Sequence, residues 1–104
     1  MKGFGNMMKE AQKLQQQMLA MQEEIGKKKV EATAGGGMVT VEANGKQELI
    51  SIKIDPEVIN KDDAQMLEDL VLAACNEALR KSRELVQQEM GKLTQGLKIP
   101  GLGL

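Results

Sequence analysis

The chain has few side chains that could do covalent chemistry: its 104 residues include one cysteine, Cys75, and no histidine. Histidine is the commonest general base and a frequent metal ligand, and a thiol needs a base or a positive charge nearby to become a nucleophile. Only Arg80 and Lys81 follow Cys75 within a turn or two. We therefore interpret Cys75 as a packing residue and expect neither enzymatic activity nor a cofactor. A single cysteine also fits a reducing cytoplasm.

Two further segments have compositions found in binding sites, but simpler interpretations are favoured. Gly35–Gly37 could cradle a phosphate, yet phosphate loops lead into a helix, whereas this run leads into a strand pattern. It is typical of a hairpin connection that requires positive φ. The acidic residues Asp62, Asp63, Glu68 and Asp69 suit the positive end of a helix dipole, so we expect no metal site there.

Charge is distributed unevenly along the chain, although the net charge is only −1. Residues 1–22 carry three lysines and one glutamate, a sum of +2. Residues 80–104 carry five basic and two acidic side chains, a sum of +3. Residues 23–79, with six basic and twelve acidic side chains, sum to −6. The two ends are therefore basic and the centre acidic, which bears more on partners than the total does.

The segment 29–54 is predicted to form three strands, because its apolar residues alternate with polar ones. Asn44-Gly45 is a strong hairpin signal between the second and third strands. Three strands joined by short turns make an antiparallel meander, which needs a cover on its apolar face. The residues assigned to that face are Val30, Ala32, Ala34, Val39, Val41, Ala43, Ile50, Ile52 and Ile54.

The first helix is predicted within residues 1–26, from about Phe4 to Ile25, with Gly26 ending it. The following run, Lys27, Lys28 and Lys29, suits the negative end of the helix dipole. Its apolar residues are spaced 3, 4, 3, 4, 3, 4, which favours a coiled-coil-like contact; a plain amphipathic core helix is the alternative. These seam residues are Phe4, Met7, Ala11, Leu14, Met18, Met21 and Ile25.

The second helix is predicted over residues 62–95, after a short turn at Asp55-Pro56-Glu57 and with Asn60 or Asp62 as its cap. It carries two apolar stripes, one assigned to the sheet and one to the first helix or a partner chain. The sheet stripe comprises Leu67, Leu70, Val71, Ala74 and Ala78. The other comprises Leu72, Cys75, Leu79, Val86, Met90, Leu93 and Leu97.

Length then predicts a projection, because such a helix is nearly 50 Å long and a six-residue strand only about 20 Å. The part from about Arg80 onward must extend past the sheet, and an antiparallel first helix would bring the two basic ends of the chain together there. Residues 96–104 form a Gly/Pro-rich apolar tail that we expect to be flexible alone and to dock on something, for which the same molecule is one candidate.

Several of these segments together resemble one known family. They are the Ala34–Gly37 turn, the Asn44-Gly45 turn, Ile54-Asp55-Pro56, the Ala-rich run of Ala73–Ala78 and the tail Gly96–Leu102. The chain resembles the YbaB/EbfC family of bacterial nucleoid-associated proteins over its whole length. The resemblance implies a single α+β domain, residues 1–104, in the order α-β-β-β-α. It also implies a homodimer in which the helices project as a pair of prongs.

The resemblance further implies double-stranded DNA as the partner, a location in the cytoplasm on the nucleoid, and no membrane or small-molecule substrate. Binding would rely on phosphate contacts with weak sequence preference, because the chain has no aromatic set for stacking bases and no recognisable helix-turn-helix or zinc finger. A protein–protein adaptor that uses the helical seams and the tail is the alternative. The DNA-binding candidates are Lys2, Lys9, Lys13, Arg80, Lys81, Arg83, Lys92 and Lys98.

Overall fold

The computed structural model describes the backbone of residues 2–96 and the side chains of residues 3–92. The predicted order α-β-β-β-α is confirmed. Of the predicted tail, residues 96–104, Gly96 is the last residue of the second helix, and residues 97–104 lie outside the described residues. The elements are α1 (Lys2–Lys27), β1 (Lys29–Ala34), β2 (Val39–Asn44), β3 (Leu49–Ile54), the 3-10 turns Pro56–Val58 and Lys61–Asp63, and α2 (Ala64–Gly96). Among the described helices, none is both long and apolar enough to cross a membrane.

The three strands form an antiparallel sheet in the order β1-β2-β3. Ala32 pairs with Val41, which pairs in turn with Ile52, so these three side chains make one row across the apolar face. The glycines between β1 and β2 all have positive φ, from 64° at Gly35 to 96° at Gly37. The hairpin interpretation of this run therefore describes its conformation correctly.

The register of β3 differs from the expected one at a bulge. Glu42 pairs with Ser51, but the next residue, Ala43, pairs with Leu49. Ile50 is thus the extra residue of the bulge. Leu49, and not Ile50 as predicted, lies opposite Ala43 on the apolar face. The alternation of isoleucines could not show this, because a bulge changes the register without changing the sequence pattern.

α2 covers the apolar face of β1 and β2 and leaves most of β3 uncovered. Ala74 and Ala78 are fully buried and pack in the same core as Val39 and Val41. The other residues of the predicted sheet stripe pack against the margin of this core. On β3, by contrast, Ile52 retains 47% of its exposure although it lies in the same row as Val41.

One contact fixes which flank of α2 lies over which strand. The Lys81 ammonium donates a hydrogen bond to the Glu31 carbonyl oxygen of β1 at 2.9 Å. At about 100° per residue, Leu79 lies on the opposite flank of α2 from Lys81, toward β3. Cys75 lies between that flank and the core, where it packs partly buried, as a packing residue would.

Side-chain oxygens cap the turns that lead into α2. Asp55 accepts a hydrogen bond from the Glu57 amide, as the predicted short turn requires. Asn60 accepts from the Asp62 amide, so it caps the second 3-10 turn and not the long helix. Asp63 accepts from the Met66 amide at 3.3 Å and is the residue that caps α2. The predicted cap of α2, Asn60 or Asp62, lies before the observed cap, Asp63. The difference arises because a 3-10 turn at Lys61–Asp63 that was not predicted comes before the helix.

α1 is attached to the rest of the chain at its C-terminal end. Ile25 and Gly26 are buried there, and the Gly45 amide donates a hydrogen bond to the Lys28 carbonyl at 3.1 Å. A Cβ atom built on Gly45 would lie 2.0 Å from the Ile25 carbonyl oxygen. The β2–β3 loop therefore needs glycine at this position for close approach to α1, while its positive φ falls at Gln47.

Most of α1 contacts no other element. Every residue from Gly3 to Ala20 is exposed, including the seam residues Phe4, at 70%, and Met7, at 69%. Within the described residues of one chain, the predicted coiled-coil seam therefore packs against no other helix between Gly3 and Ala20.

A buried serine anchors α2 at the end of the sheet. The Ser82 hydroxyl donates a hydrogen bond of 2.6 Å to the carbonyl oxygen of Asn44, the last residue of β2. Ser82 is fully buried. The fourteen residues of α2 that follow it would measure about 21 Å, so this end of α2 extends past the sheet as expected.

Replacing Gly45 with alanine should loosen the attachment of α1. The added methyl group cannot fit beside the Ile25 carbonyl, and we expect a loss of about 1–3 kcal/mol in the free energy of unfolding, measured by denaturant titration. Gly5→Ala is the matched control, because a Cβ there meets no atom within 4 Å and alanine favours a helix. Equal stability of Gly45→Ala and the unaltered chain would contradict this role of Gly45.

Replacing Ser82 with alanine should cost about 1 kcal/mol of unfolding free energy, because it removes one buried hydrogen bond. The Asn44 carbonyl keeps its second donor, the Gln47 amide, so the loss should be no larger. Ser51→Ala, at an exposed position of β3, should change the stability by less than about 0.5 kcal/mol. A Ser82→Ala variant that unfolds like the Ser51→Ala control would show that the hydroxyl does not anchor α2.

Candidate nucleic-acid interface

The predicted basic candidates on α1 are free to bind a ligand. Lys9 and Lys13 are exposed and form no ion pair with any residue that the structure describes. Lys13 lies six residues and Lys9 ten residues before Leu19, where α1 first approaches α2. The side chain of Lys2 and all of Lys98 lie outside the described residues.

Arg80 on α2 is held by two carboxylates of its own helix. Its guanidinium hydrogen-bonds to Glu77, three residues before it, and to Glu84, four residues after it. The hydrogen bond from Arg80 lowers the pKa of the Glu77 carboxyl below its ordinary value of 4.5, while Glu77 and then Glu84 raise the pKa of Arg80. At neutral pH Glu77 is thus charged, and with two carboxylates beside it this arginine contributes little positive potential of its own.

Lys81 and Lys92 also have neighbours within the chain. Lys81 binds the Glu31 carbonyl of β1, which commits its ammonium to the packing of α2 on the sheet. Lys92 lies 3.6 Å from Glu89, but its side chain is 75% exposed. Of these two, only Lys92 is exposed enough to reach a phosphate without breaking a contact that positions α2.

Glu89 is bound more closely by a lysine outside the predicted candidate set. The Lys28 ammonium lies 2.8 Å from the Glu89 carboxylate and joins the start of β1 to α2. This hydrogen bond, with smaller contributions from the charges of Lys28 and Lys92, lowers the pKa of the Glu89 carboxyl. The sequence pattern relates Lys28 only to the dipole of α1, and no local signal could pair residues that are 61 positions apart.

Among the basic candidates whose side chains are described on α2, Arg83 is the one that makes neither an ion pair nor a hydrogen bond to another described residue. It is exposed. It follows the buried Ala74 by nine residues, or two and a half turns, so it lies on the side of α2 directly away from the sheet. Of the predicted DNA-binding candidates with described side chains, Lys9, Lys13 and Arg83 are thus the ones that make no such contact, and we call them the free basic set.

The two long helices come together around Leu19 of α1 and Val86 of α2. Leu19, Gln22 and Ile25 of α1 face Val86 and Met90 of α2 across an open cleft of about 770 Å³, which is closed at one end by the β2–β3 loop. The structure thus brings the C-terminal end of α1 to the part of α2 that extends past the sheet. In the described part of the chain, no group of three or more potential metal ligands occurs.

Comparison with known proteins gives one consistent result. The model of the YbaB/EbfC DNA-binding family matches residues 1–97. A protein of Desulforamulus reducens named nucleoid-associated protein is 62% identical over 99 residues, covering 95% of this chain and 94% of its own length. Another of that name, from Pelotomaculum thermopropionicum, is 57% identical with the same coverage of both chains.

A solved structure has the same fold. The crystal structure of the uncharacterized protein HP0035 from Helicobacter pylori superposes with a TM-score of 0.65, at 20% identity, over 80% of this chain and 96% of its own. Since the family model spans residues 1–97 of the 104, the chain belongs to the YbaB/EbfC DNA-binding family.

Proposed function

We propose that this protein is a homodimeric, nucleoid-associated protein that binds double-stranded DNA through phosphate contacts with little sequence preference. The observation that carries the proposal is the free basic set. Lys9, Lys13 and Arg83 are exposed, lack partners among the described residues and stand on helices that extend away from an acidic sheet region. The relatives named nucleoid-associated proteins support DNA of the nucleoid as the partner.

The amount of exposed surface supports a second copy. The chain exposes 8113 Å², whereas a compact monomer of its mass would expose about 5,800 Å². The excess, about 2,300 Å² per chain, is of the size that each copy loses in the larger homodimer interfaces, which bury roughly 2,000–5,000 Å² in total. A single chain therefore leaves uncovered the surface that a dimer would bury.

The apolar flank beside β3 is our candidate for that interface. Leu49 and Ile52 of β3 are exposed at 43% and 47%, and Leu79, on the flank of α2 toward β3, is half-buried. An edge strand with an uncovered apolar face is a ready site for pairing with another chain. Joining two copies at β3 would hold two pairs of helices on one central body, with the free basic sets at their outer parts.

Phosphate contacts alone would give binding that tolerates many sequences. Phe4 is the only aromatic residue in the sequence, so bases cannot be stacked on a series of rings. Lysine and arginine side chains that reach phosphates fix the position of a protein on a duplex and carry no sequence information directly. Each such contact releases counterions, and the affinity should therefore fall steeply with salt.

An adaptor that binds another protein is the second candidate, and the exposed methionines of α1 favour it. Met7, Met8 and Met18 are 69%, 53% and 46% exposed, and methionine adapts to varied apolar surfaces. An adaptor would not need the free basic set. The two functions therefore separate when those three charges are removed.

We expect the triple variant Lys9→Ala, Lys13→Ala, Arg83→Ala to show weaker DNA binding and a weaker dependence of that binding on salt. The slope of log affinity against log salt should become shallower by about 0.9 for every phosphate that the variant no longer neutralises, measured by fluorescence anisotropy on a short duplex of mixed sequence. Circular dichroism should be unchanged, because these three side chains do not hold the fold together.

The matched control removes three exposed lysines from the sheet region and the turn before α2, at Lys29, Lys53 and Lys61. It changes the net charge by the same amount and should leave the salt slope within error of the unaltered protein. If both triple variants lose the same affinity, binding follows total charge and not the free basic set. If neither loses any, the DNA-binding proposal fails and the adaptor is favoured.

A further inference from the structure

The cleft between α1 and α2 has apolar walls and no occupant within the described chain. Ile25 is buried at its base, Val86 and Met90 are half-buried on one wall, and Leu19 on the other wall is 56% exposed. Its volume, about 770 Å³, is within the roughly 300–1,000 Å³ that encloses a small ligand. It can therefore take a few side chains of an extended segment but not a further helix.

The residues after α2 begin close enough to reach this cleft. α2 ends at Gly96, six residues after Met90, a distance of about 9 Å along the helix. Residues 97–104 could span up to about 26 Å when extended. Gly96 and the Pro100-Gly101 pair permit a change of direction. Within the described residues, no segment that starts so near the cleft is left without a place in a helix, strand or turn.

The composition of this segment matches the cleft. Four of its eight residues are apolar, namely Leu97, Ile99, Leu102 and Leu104, and Lys98 is its one charged side chain. The cleft offers an apolar base and one acidic side chain, Glu23, which makes no ion pair with any described residue. Lys98 can thus meet Glu23 while its apolar neighbours cover Leu19 and Val86.

We propose that residues 97–104 fold back into the cleft of their own chain and brace α1 against α2. α1 is otherwise attached only near its last turn, so a wedge of apolar side chains between Leu19 and Val86 would fix the direction in which its free part extends. This role goes beyond the proposed function and does not depend on DNA binding.

Disulfide trapping in the full-length protein tests the proposal. Cys75→Ser removes the natural thiol, Gly103→Cys places one in the tail without changing its apolar residues, and Gln22→Cys places one in the cleft. A disulfide requires Cα atoms within about 7 Å. Under mild oxidation, we expect an intramolecular disulfide to form at least about tenfold faster than in a control with Gln17→Cys in place of Gln22→Cys. The reason is that docking of the tail raises the effective concentration of its thiol at the cleft. Gln17 lies on the opposite side of α1 from Leu19 and Gln22.

Three results would overturn the proposal. Equal rates for the two cysteine pairs would mean that the tail does not dock in the cleft. A bond formed between chains, seen as a species of double mass on a non-reducing gel, would assign the cleft to the tail of another copy. Substituting serine at Leu97, Ile99 and Leu102 should abolish the rate difference, and a difference that survives it would show that these side chains do not hold the tail.

Discussion

The packing of α2 on β1 and β2 is the interaction that determines the positions of all the other elements. Ala74 and Ala78 present only methyl groups to the sheet, so the helix approaches Val39 and Val41 closely enough to bury all four side chains fully. A helix about 10 Å wide cannot also cover a third strand about 4.8 Å further on. The inner face of β3 is therefore left to solvent or to another chain.

The same packing determines where the charges lie. α2 is much longer than the strands, so Ser82 marks the end of the sheet and the residues after it extend beyond. Lys81 is used to hold the helix on β1, which turns Arg83 away from the sheet. α1 joins this extension through the close contact at Gly45. Residues 23–79 carry twelve of the fifteen acidic residues, and the free basic set lies on the helices that extend from the sheet.

Much of the fold could be predicted because it follows local rules: apolar alternation in the strands, the heptad spacing of α1 and the two stripes of α2. What escaped prediction depends on contacts between distant residues. The bulge at Ile50 changes register without changing the pattern, and the Gly45 turn is shaped by α1 more than by its own φ. In the site, the Lys28–Glu89 contact joins residues 61 positions apart and could not be predicted from the sequence. The pairing of Arg80 with Glu77 and Glu84, by contrast, follows from helical spacing and is a local signal that could have ranked Arg80 below Arg83.

If one chain cannot cover its own apolar surface, two copies together should form the unit that binds DNA. Sedimentation equilibrium of the protein, alone and with a short duplex, decides whether they do. We expect a free species of twice the 11.4 kDa chain mass. The complex with the duplex should contain an even number of protein chains. A monomer of 11.4 kDa that binds the duplex as a single chain would contradict this expectation.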